Sequence, residues 1–323
     1  MALLDIHRDG AVVTAAMNNP PFNFLTSALV DELDALLDEA EADPAIRAVV
    51  LTSAVPGAFV SHYDVAEILE GARRVGVTVG PMLTRWGASL VRAVNRGRAM
   101  RRLLERTPAA GIVTLLRFHR LTERMRDSDL VCVAAIGGMA LGGGCELALA
   151  CDIRLMAEGP HGIGQPEVLL GLVPGGGGTQ LLTRAIGAGR TVELALEGRP
   201  LTPAQAAACG LVHRVVAPEA LLEEAQGIAA RLATRSPAAV KAIKHAVYRY
   251  GSQSIGRGLE YERAQLLSLA SRTDTQHAIT AYLALVRQHL EQGGGVEDFA
   301  DKYLAALIAG TPVTESLRSS RVS

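Results

Sequence analysis

Residues 136–155 read IGGMALGGGCELALACDIRL, and the fold turns on this stretch. Three consecutive glycines, Gly142, Gly143 and Gly144, separate two apolar segments of different character. The run before them, Leu130 to Ile136, is short and β-branched in character, as a buried strand is. The run after them, Cys145 to Asp152, is rich in Ala and Leu with no breaker, as a buried helix is. Glycines at such a junction let the backbone approach a ligand and aim free N–H groups at it from a helix N-terminus. Glu146 follows in the first helical turn. Free amides that hold a developing oxyanion, beside an acid/base carboxylate, suit carbonyl chemistry. A tight turn that only packs helix against strand accounts for the glycines equally well.

A second stretch, residues 162–180, reads GIGQPEVLLGLVPGGGGTQ, with Glu167 after Pro166 and a glycine run from Gly175 to Gly178. In residue type, spacing and order the two stretches together resemble the enoyl-CoA hydratase/isomerase (crotonase) superfamily. Its signature is an LGGG-x-E-L-A-x-x-C-D segment followed by GxPE and GxxPGxGGTQ. The likeness runs from about Asn18 to Leu232 around one enlarged insertion, and more weakly to about Leu290. It implies an α/β fold of repeated ββα units wound into a spiral over residues 1–232. A C-terminal helical region, 233–292, would then mediate assembly into a homotrimer or a dimer of trimers. Residues 293–323 read as a Gly293–Gly295 linker, a short extra helix and a loose polar tail.

The resemblance also implies an oxyanion hole for a CoA thioester. One amide comes from the glycine segment, by position Gly143. The other comes from an upstream loop that usually reads FxAGADL and here spans Gly57 to Val65, GAFVSHYDV. The residue before the aspartate supplies that amide, by position Tyr63. Ser61, His62, Asp64, Leu141, Gly142, Pro166 and Gly175 are the expected substrate contacts. His62 and Tyr63 stand where the family has small residues, which removes conformational freedom and adds bulk near the thioester. Two readings stay open for them: an added polar or acid/base contact, or side chains that shape the pocket wall. A Ser61/His62/Asp64 triad is disfavoured, because near-neighbours in one extended loop point apart.

Composition sets the frame. A chain of 323 residues with 49% hydrophobic content can bury a sizeable core. The formal net charge of −1 gives no global field toward nucleic acid or membrane. Lysine occurs only at Lys241, Lys244 and Lys302. The four cysteines, Cys132, Cys145, Cys151 and Cys209, form no C-x-x-C pair and lie mostly in apolar runs, as buried free thiols of a cytoplasmic protein do. The N-terminus lacks the pattern of a signal peptide, and no apolar run has membrane-spanning length.

Taken in order, residues 3–17 predict a hairpin around Asp9-Gly10. Asn18-Asn19-Pro20-Pro21-Phe22-Asn23 is a loop. Thr26 is a candidate N-cap for a helix with Leu29, Leu33, Leu36 and Leu37 on one face and acids on the other, stopped by Asp43-Pro44. Arg47 to Thr52 then predicts a buried strand, completing a βαβ-like order with parallel pairing.

Residues 70–127 do not match the family's short segment. They hold 13 arginines against Glu70, Glu105, Glu123 and Asp127, a net +9. Leu90, Val94, Leu103, Ile112, Leu115, Leu116 and Leu121 give helical apolar spacing, so the segment is expected to be helical and to cover the pocket mouth. Its arginines have three readings: CoA phosphate contacts, contacts to acidic surface on a neighbouring subunit, or a solvated face. Nucleic-acid binding has only Trp86 and Phe118 as aromatic support. Beyond the spiral, Thr202 is expected to begin one helix and Ser236 another. The family's closing AFxEKR appears as Ala281 to Arg287, with Leu285 at the lysine position, so that contact is not carried over.

Other motifs fail. The Gly171–Thr179 run has no P-loop lysine, the Gly142 run lacks the G-x-G-x-x-G spacing, and the histidines show no metal-ligand spacing. Hydrating an enoyl thioester needs a water oriented at the β-carbon and a proton delivered to the α-carbon, work for two carboxyl groups. Both family glutamates are present, as Glu146 and Glu167. Isomerases of the superfamily typically keep only the second. The resemblance therefore implies an enoyl-CoA hydratase with no metal or redox cofactor, CoA entering only as part of the substrate. An isomerase, decarboxylase or hydrolase on the same hole is the alternative among enzymes, and a non-catalytic acyl-CoA-binding protein the alternative outside them.

Overall fold

The computed structural model describes residues 2–75, 80–94, 104, 107, 110–293 and 305–310. The chain opens with the expected hairpin, β1 (Leu4–Asp9) and β2 (Val12–Met17), with Asp9 opposite Val12. Helix α1 (Ser27–Ala42) starts at Thr26, whose hydroxyl accepts from the Leu29 amide at 3.2 Å. It buries Leu29, Leu33, Leu36 and Leu37 and ends before Asp43. Strand β3 (Ala48–Ser53) returns parallel to β2.

From there strands come in pairs. In each pair the first strand extends the large sheet and the second a small one. β3 is followed by β4 (Ala58–Val60) and then, among the described residues, by the helices α2 (Val65–Val75), α3 (Pro81–Val94) and α4 (Ala110–Asp127). Next come β5 (Val131–Ile136), β6 (Met139–Leu141) and α5 (Gly143–Ala150). The third unit is β7 (Ile153–Ala157), β8 (Ile163–Gly164), a 3-10 turn at Glu167–Leu170 and α6 (Gly178–Ile186). Helices α7 (Ala188–Glu197) and α8 (Pro203–Ala208) lead to β9 (Arg214–Val216). Thr202 and Gln205 close a reciprocal capping box at the start of α8. Among the described residues the large sheet runs β1-β2-β3-β5-β7-β9, parallel except for β1, and the small one runs β4-β6-β8, all parallel. This is the repeated ββα spiral.

The large sheet is covered on both faces, as a parallel sheet must be. Val49, Leu51, Cys132, Ala134 and Ile136 face the core shared with α1 and α5. Ala48, Val50, Val131, Val133 and Ala135 face a second core under α9 (Leu221–Ala233), against Leu221, Ala225, Ile228 and Ala229. The C-terminal helices follow: α10 (Pro237–His245), α11 (Ile255–Ala270), α12 (Thr273–Glu291) and the short α13 (Ala305–Ala309). Lys244 of α10 reaches into the spiral, where its Nζ donates to the carbonyls of Met125 and Leu130, each at 2.7 Å, and to Asp152 Oδ2 at 2.8 Å. Asp152 also accepts from the Cys132 amide at 2.8 Å and from the Tyr248 hydroxyl at 3.0 Å. A buried pair satisfied this fully costs several kcal/mol to break from one side.

The insertion corrects two expectations. Of the apolar residues expected on α4, only Leu121 is fully buried, while Leu115 is exposed. The face toward α1 and α5 instead carries Val113, Phe118, Leu121, Thr122 and Met125, so tertiary packing rather than the local pattern chose the stripe. Arg117 pairs with Asp31, and Arg124 with Asp34, Asp38 and Glu41, all on α1. These two arginines tie α4 to the acidic face of α1 within the chain, a fourth use that none of the three readings named. Arg126 lies over the Tyr248 ring, 4.3 Å from its centroid. Arg96, Arg98, Arg101, Arg102, Leu103, Arg106, Gly294, Gly295 and the tail after Gly310 lie outside the described residues. All four cysteines are free thiols. Among the described residues no helix is long and apolar enough to cross a membrane.

Candidate active site

The glycine junction serves both of its readings, at different residues. Gly144 packs so tightly on β4 that an added Cβ would overlap the Val60 carbonyl oxygen. Gly142 turns the chain at φ +49°, a conformation L side chains rarely adopt, and an added Cβ there would lie 2.6 Å from Glu167 Oε1. Between them Gly143 opens α5 beside the upstream loop, its Cβ position 3.5 Å from the Tyr63 nitrogen. Among the described residues no intramolecular acceptor takes the N–H of Tyr63 or of Gly143. Two backbone segments with unengaged amides thus lie side by side.

The loop carrying Tyr63 is held along its backbone. Leu25 and Tyr63 form a bridge: the Leu25 amide donates to the His62 carbonyl and the Asp64 amide to the Leu25 carbonyl, each at 2.9 Å. Buried Asn23 supports the approach by donating to the Phe59 carbonyl and to Ser53 Oγ. The Tyr63 phenol runs toward α2 and α1, donating to Glu67 Oε2 at 2.7 Å and lying 3.4 Å from Ser27 Oγ. Glu67 in turn accepts from the Ser27 hydroxyl at 2.7 Å and from the Ser27 amide at the start of α1. Burial and the neighbouring carboxylate push the phenol far above its ordinary range, so it stays a donor. The polar contacts of the Tyr63 phenol are thus to Glu67 and Ser27, on α2 and α1.

The rest of that loop divides its labour. His62 Nδ1 lies 2.7 Å from the Tyr63 carbonyl and its ring packs on Phe24, centroids 4.5 Å apart, beside Gly142 and Glu167. Asp64 accepts from the Ala66 amide at 2.9 Å and so starts α2. Half-buried Ser61 engages neither of them, and no triad forms.

The two glutamates reach the junction from different repeats. Glu146, 3% exposed, lies in the first turn of α5, and its Oε1 accepts from the amides of Gly176 and Gly178, both at 2.8 Å. Burial pushes its carboxyl up to about 7 against the pull of these two amides, and the Glu167 charge adds to the rise. Glu167 opens the 3-10 turn after Pro166 and is also raised by burial, with His62 pulling the other way. Gln165, fully buried, donates from its carboxamide nitrogen to both Glu167 oxygens at 2.9 and 3.1 Å in the orientation that satisfies its neighbours. Leu141 ends β6 just before the glycines. Gly175 is exposed and its carbonyl lies 2.7 Å from His119 Nε2; the glycine-run amides that meet Glu146 belong to Gly176 and Gly178. Phe118 of α4 packs beside Glu146 over Gly176, so the insertion does cover this site. Among the described residues no cluster of three His, Cys, Asp or Glu side chains is placed to hold a metal.

Sequence reading missed Gln165, Gly176, Gly178, Ser27 and Glu67. Gln165 carried a local signal, a lone amide side chain two residues before Glu167. Ser27 and Glu67 carried none, since they meet across 40 residues.

The profile of the enoyl-CoA hydratase/isomerase family matches residues 7–95 and 92–292. The chain belongs to the enoyl-CoA hydratase/isomerase family. Its similarity to other members extends over most of its length. It is 34% identical over 280 residues to a probable enoyl-CoA hydratase of Rhizobium meliloti, covering 86% of this chain and 94% of that protein. It is 32% identical over 279 residues to the short-chain-enoyl-CoA hydratase of Clostridium acetobutylicum, covering 86% and 93%. The crystal structure of an enoyl-CoA hydratase from Bacillus anthracis superimposes with a TM-score of 0.70 at 28% identity, covering 88% of this chain and 96% of that one. This enoyl-CoA hydratase/isomerase family chain is thus an enzyme of the crotonase superfamily in fold and in sequence.

Proposed function

We propose that this enzyme catalyses the reversible syn addition of water to a trans-2-enoyl-CoA, giving a 3-hydroxyacyl-CoA. The observation that carries the reading is the convergence of two burial-raised carboxyl groups, Glu146 and Glu167, on a junction with two free amides. The amides of Tyr63 and Gly143 hold the thioester oxygen as enolate charge develops on it. One carboxylate takes a proton from the water attacking the β-carbon, and the other carboxyl delivers a proton to the α-carbon. A group near 7 beside a second raised carboxyl allows one to be ionised while the other is protonated at neutral pH. Gly176 and Gly178 orient Glu146, and Gln165 orients Glu167. CoA enters as part of the substrate, and the chemistry calls for no metal or redox cofactor.

The same reading carries a cytoplasmic enzyme that assembles as a trimer or dimer of trimers. The assembly is supported by the C-terminal surface: α11 buries no residue within the chain, and Ile255, Leu259, Leu266 and Leu267 on it are exposed. The test of function is loss of the conjugated enoyl-thioester absorbance with purified protein and a panel of trans-2-enoyl-CoA esters. Turnover should fall by about 10²- to 10⁴-fold in Glu167→Gln and in Glu146→Gln with CoA-ester binding kept, as removal of an acid/base group does. Near-normal turnover in either variant removes that glutamate from the mechanism. Tight binding with no turnover of any thioester points to a non-catalytic member.

A further inference from the structure

The outer face of α3 takes no part in the site. The helix packs on α4 through Gly87, whose Cβ position lies 4.0 Å from Ile112, and through buried Val91. Beside that packed face, Met82, Leu83, Trp86 and Leu90 are 80, 67, 75 and 66% exposed. At about 100° per residue these four side chains fall within an arc of roughly 100°, a continuous apolar stripe. Arg85 lies exposed about 60° beyond one edge of it.

The sequence from the stripe onward is one-sided in charge. From Arg85 to Arg106 the sequence holds seven arginines and one acid, Glu105. Residues 70–127 carry +9 in a chain of net charge −1; of their arginines, Arg117 and Arg124 are already met by Asp31, Asp34, Asp38 and Glu41 of α1. The arginine run and the apolar stripe therefore belong to the same stretch of sequence. A nucleic acid would use the charge and leave the stripe wet. An apolar protein partner would use the stripe and gain nothing from a field this strong. A surface of anionic headgroups over hydrocarbon uses both, and tryptophan favours that boundary.

We propose that α3 docks this protein onto an anionic membrane surface, with Met82, Leu83, Trp86 and Leu90 entering the headgroup boundary and arginine charge drawing the segment down. The helix lies on the bilayer and does not span it. Docking is independent of the reaction assigned above and needs no substrate.

Trp86 is the sole tryptophan of the chain, so its emission reports this face alone. The full-length protein is titrated with vesicles of phosphatidylcholine, alone or mixed with phosphatidylglycerol, while emission, acrylamide quenching and co-sedimentation are followed. With the mixed vesicles the emission should move to shorter wavelength, quenching should fall and the protein should sediment. Phosphatidylcholine alone should give little of this. Raising salt to about 1 M, where the screening length shrinks to about 3 Å, should release the protein. Leu83→Glu with Leu90→Glu, both at exposed positions the fold does not use, should abolish the shift without changing the melting temperature. Unchanged emission with both vesicle types overturns the proposal, and so does sedimentation without an emission shift, which would place docking elsewhere. A tryptophan already shielded from acrylamide in a vesicle-free oligomer also overturns it, since a second copy would then own the face.

Discussion

In the β5–β6–α5 repeat the chain passes from strand to helix through Gly142, Gly143 and Gly144, and every residue of α5 is buried. In the β3–β4–α2 repeat it passes through Ser61, His62, Tyr63 and Asp64, and α2 buries none of its residues. The two repeats bring the backbones of Gly143 and Tyr63 side by side, the Gly143 Cβ position lying 3.5 Å from the Tyr63 nitrogen. The first positions Gly143 by close packing against β4, with no side chain to adjust. The second positions Tyr63 by a backbone bridge to Leu25 and a side-chain chain of Tyr63, Glu67 and Ser27. One amide depends on volume and the other on hydrogen bonds, and the two should fail differently when perturbed.

The largest effect is expected on the packed side. Gly144→Ala places a methyl on the Val60 carbonyl oxygen, a backbone atom that moves only if β4 or α5 moves. The loss should be at least ~3 kcal/mol, the upper end of overpacking costs, read by denaturant melts. A wild-type midpoint would mean the approach is looser than described. Glu146→Gln comes next, and its effect depends on pH. The folded carboxyl titrates near 7 and the unfolded one near 4.5, so the folded state holds the proton longer. Stability contributed by this residue is therefore lost as pH rises from 4.5 through 7, by about 3 kcal/mol. The variant's melting temperature should gain on wild type across that window and run parallel to it above. A constant gap from pH 4 to 8 would show that burial does not burden this carboxylate.

On the hydrogen-bonded side the changes should be smaller. Tyr63→Phe removes the donor to Glu67 and should cost about 1–2 kcal/mol, while Glu67 keeps Ser27. Turnover should drop by about tenfold with KM little changed, short of the hundredfold that a full ångström of misplacement costs. Lost stability with full turnover would mean that the phenol supports the fold and not the amide. The smallest effect belongs to Gly111→Ala in α4, where an added Cβ meets nothing within 4 Å. It should be neutral or stabilising by up to ~1 kcal/mol. Set beside Gly144→Ala, it separates a glycine held by close approach from one that is not.

How far the sequence could be read follows the same division. Short-range physics was legible: the Thr26 cap, the Leu29/Leu33/Leu36/Leu37 face, the Leu130–Ile136 strand and the junction with Glu146 behind it all stand as their local patterns indicate. The ββα spiral and the family followed from ordered motifs. Long-range pairing was not legible. Nothing near Arg124 announces that its partners are Asp34, Asp38 and Glu41, and nothing near Lys244 points to Asp152, 92 residues away. The segment's helical spacing was legible but the buried face of α4 was not, because its partners, α1 and α5, lie on either side of it in the chain and choose that face by docking. The part played by Gly176 and Gly178 was not legible, because a four-glycine run has no internal landmark until a carboxylate selects its amides.

The scarcity of lysine has a chemical consequence of its own. Of the three lysines in the chain, Lys244 is enclosed by two carbonyls and a carboxylate, and Lys241 is exposed on α10. Reagents and enzymes that acylate or conjugate amines therefore find almost no handle on this protein. The +9 segment contains no lysine at all, and a guanidinium neither deprotonates in the physiological range nor accepts an acetyl group in the way an ammonium does. Its charge is permanent: it is quieted by carboxylates, as those of α1 do for Arg117 and Arg124, by salt or by a bound anion.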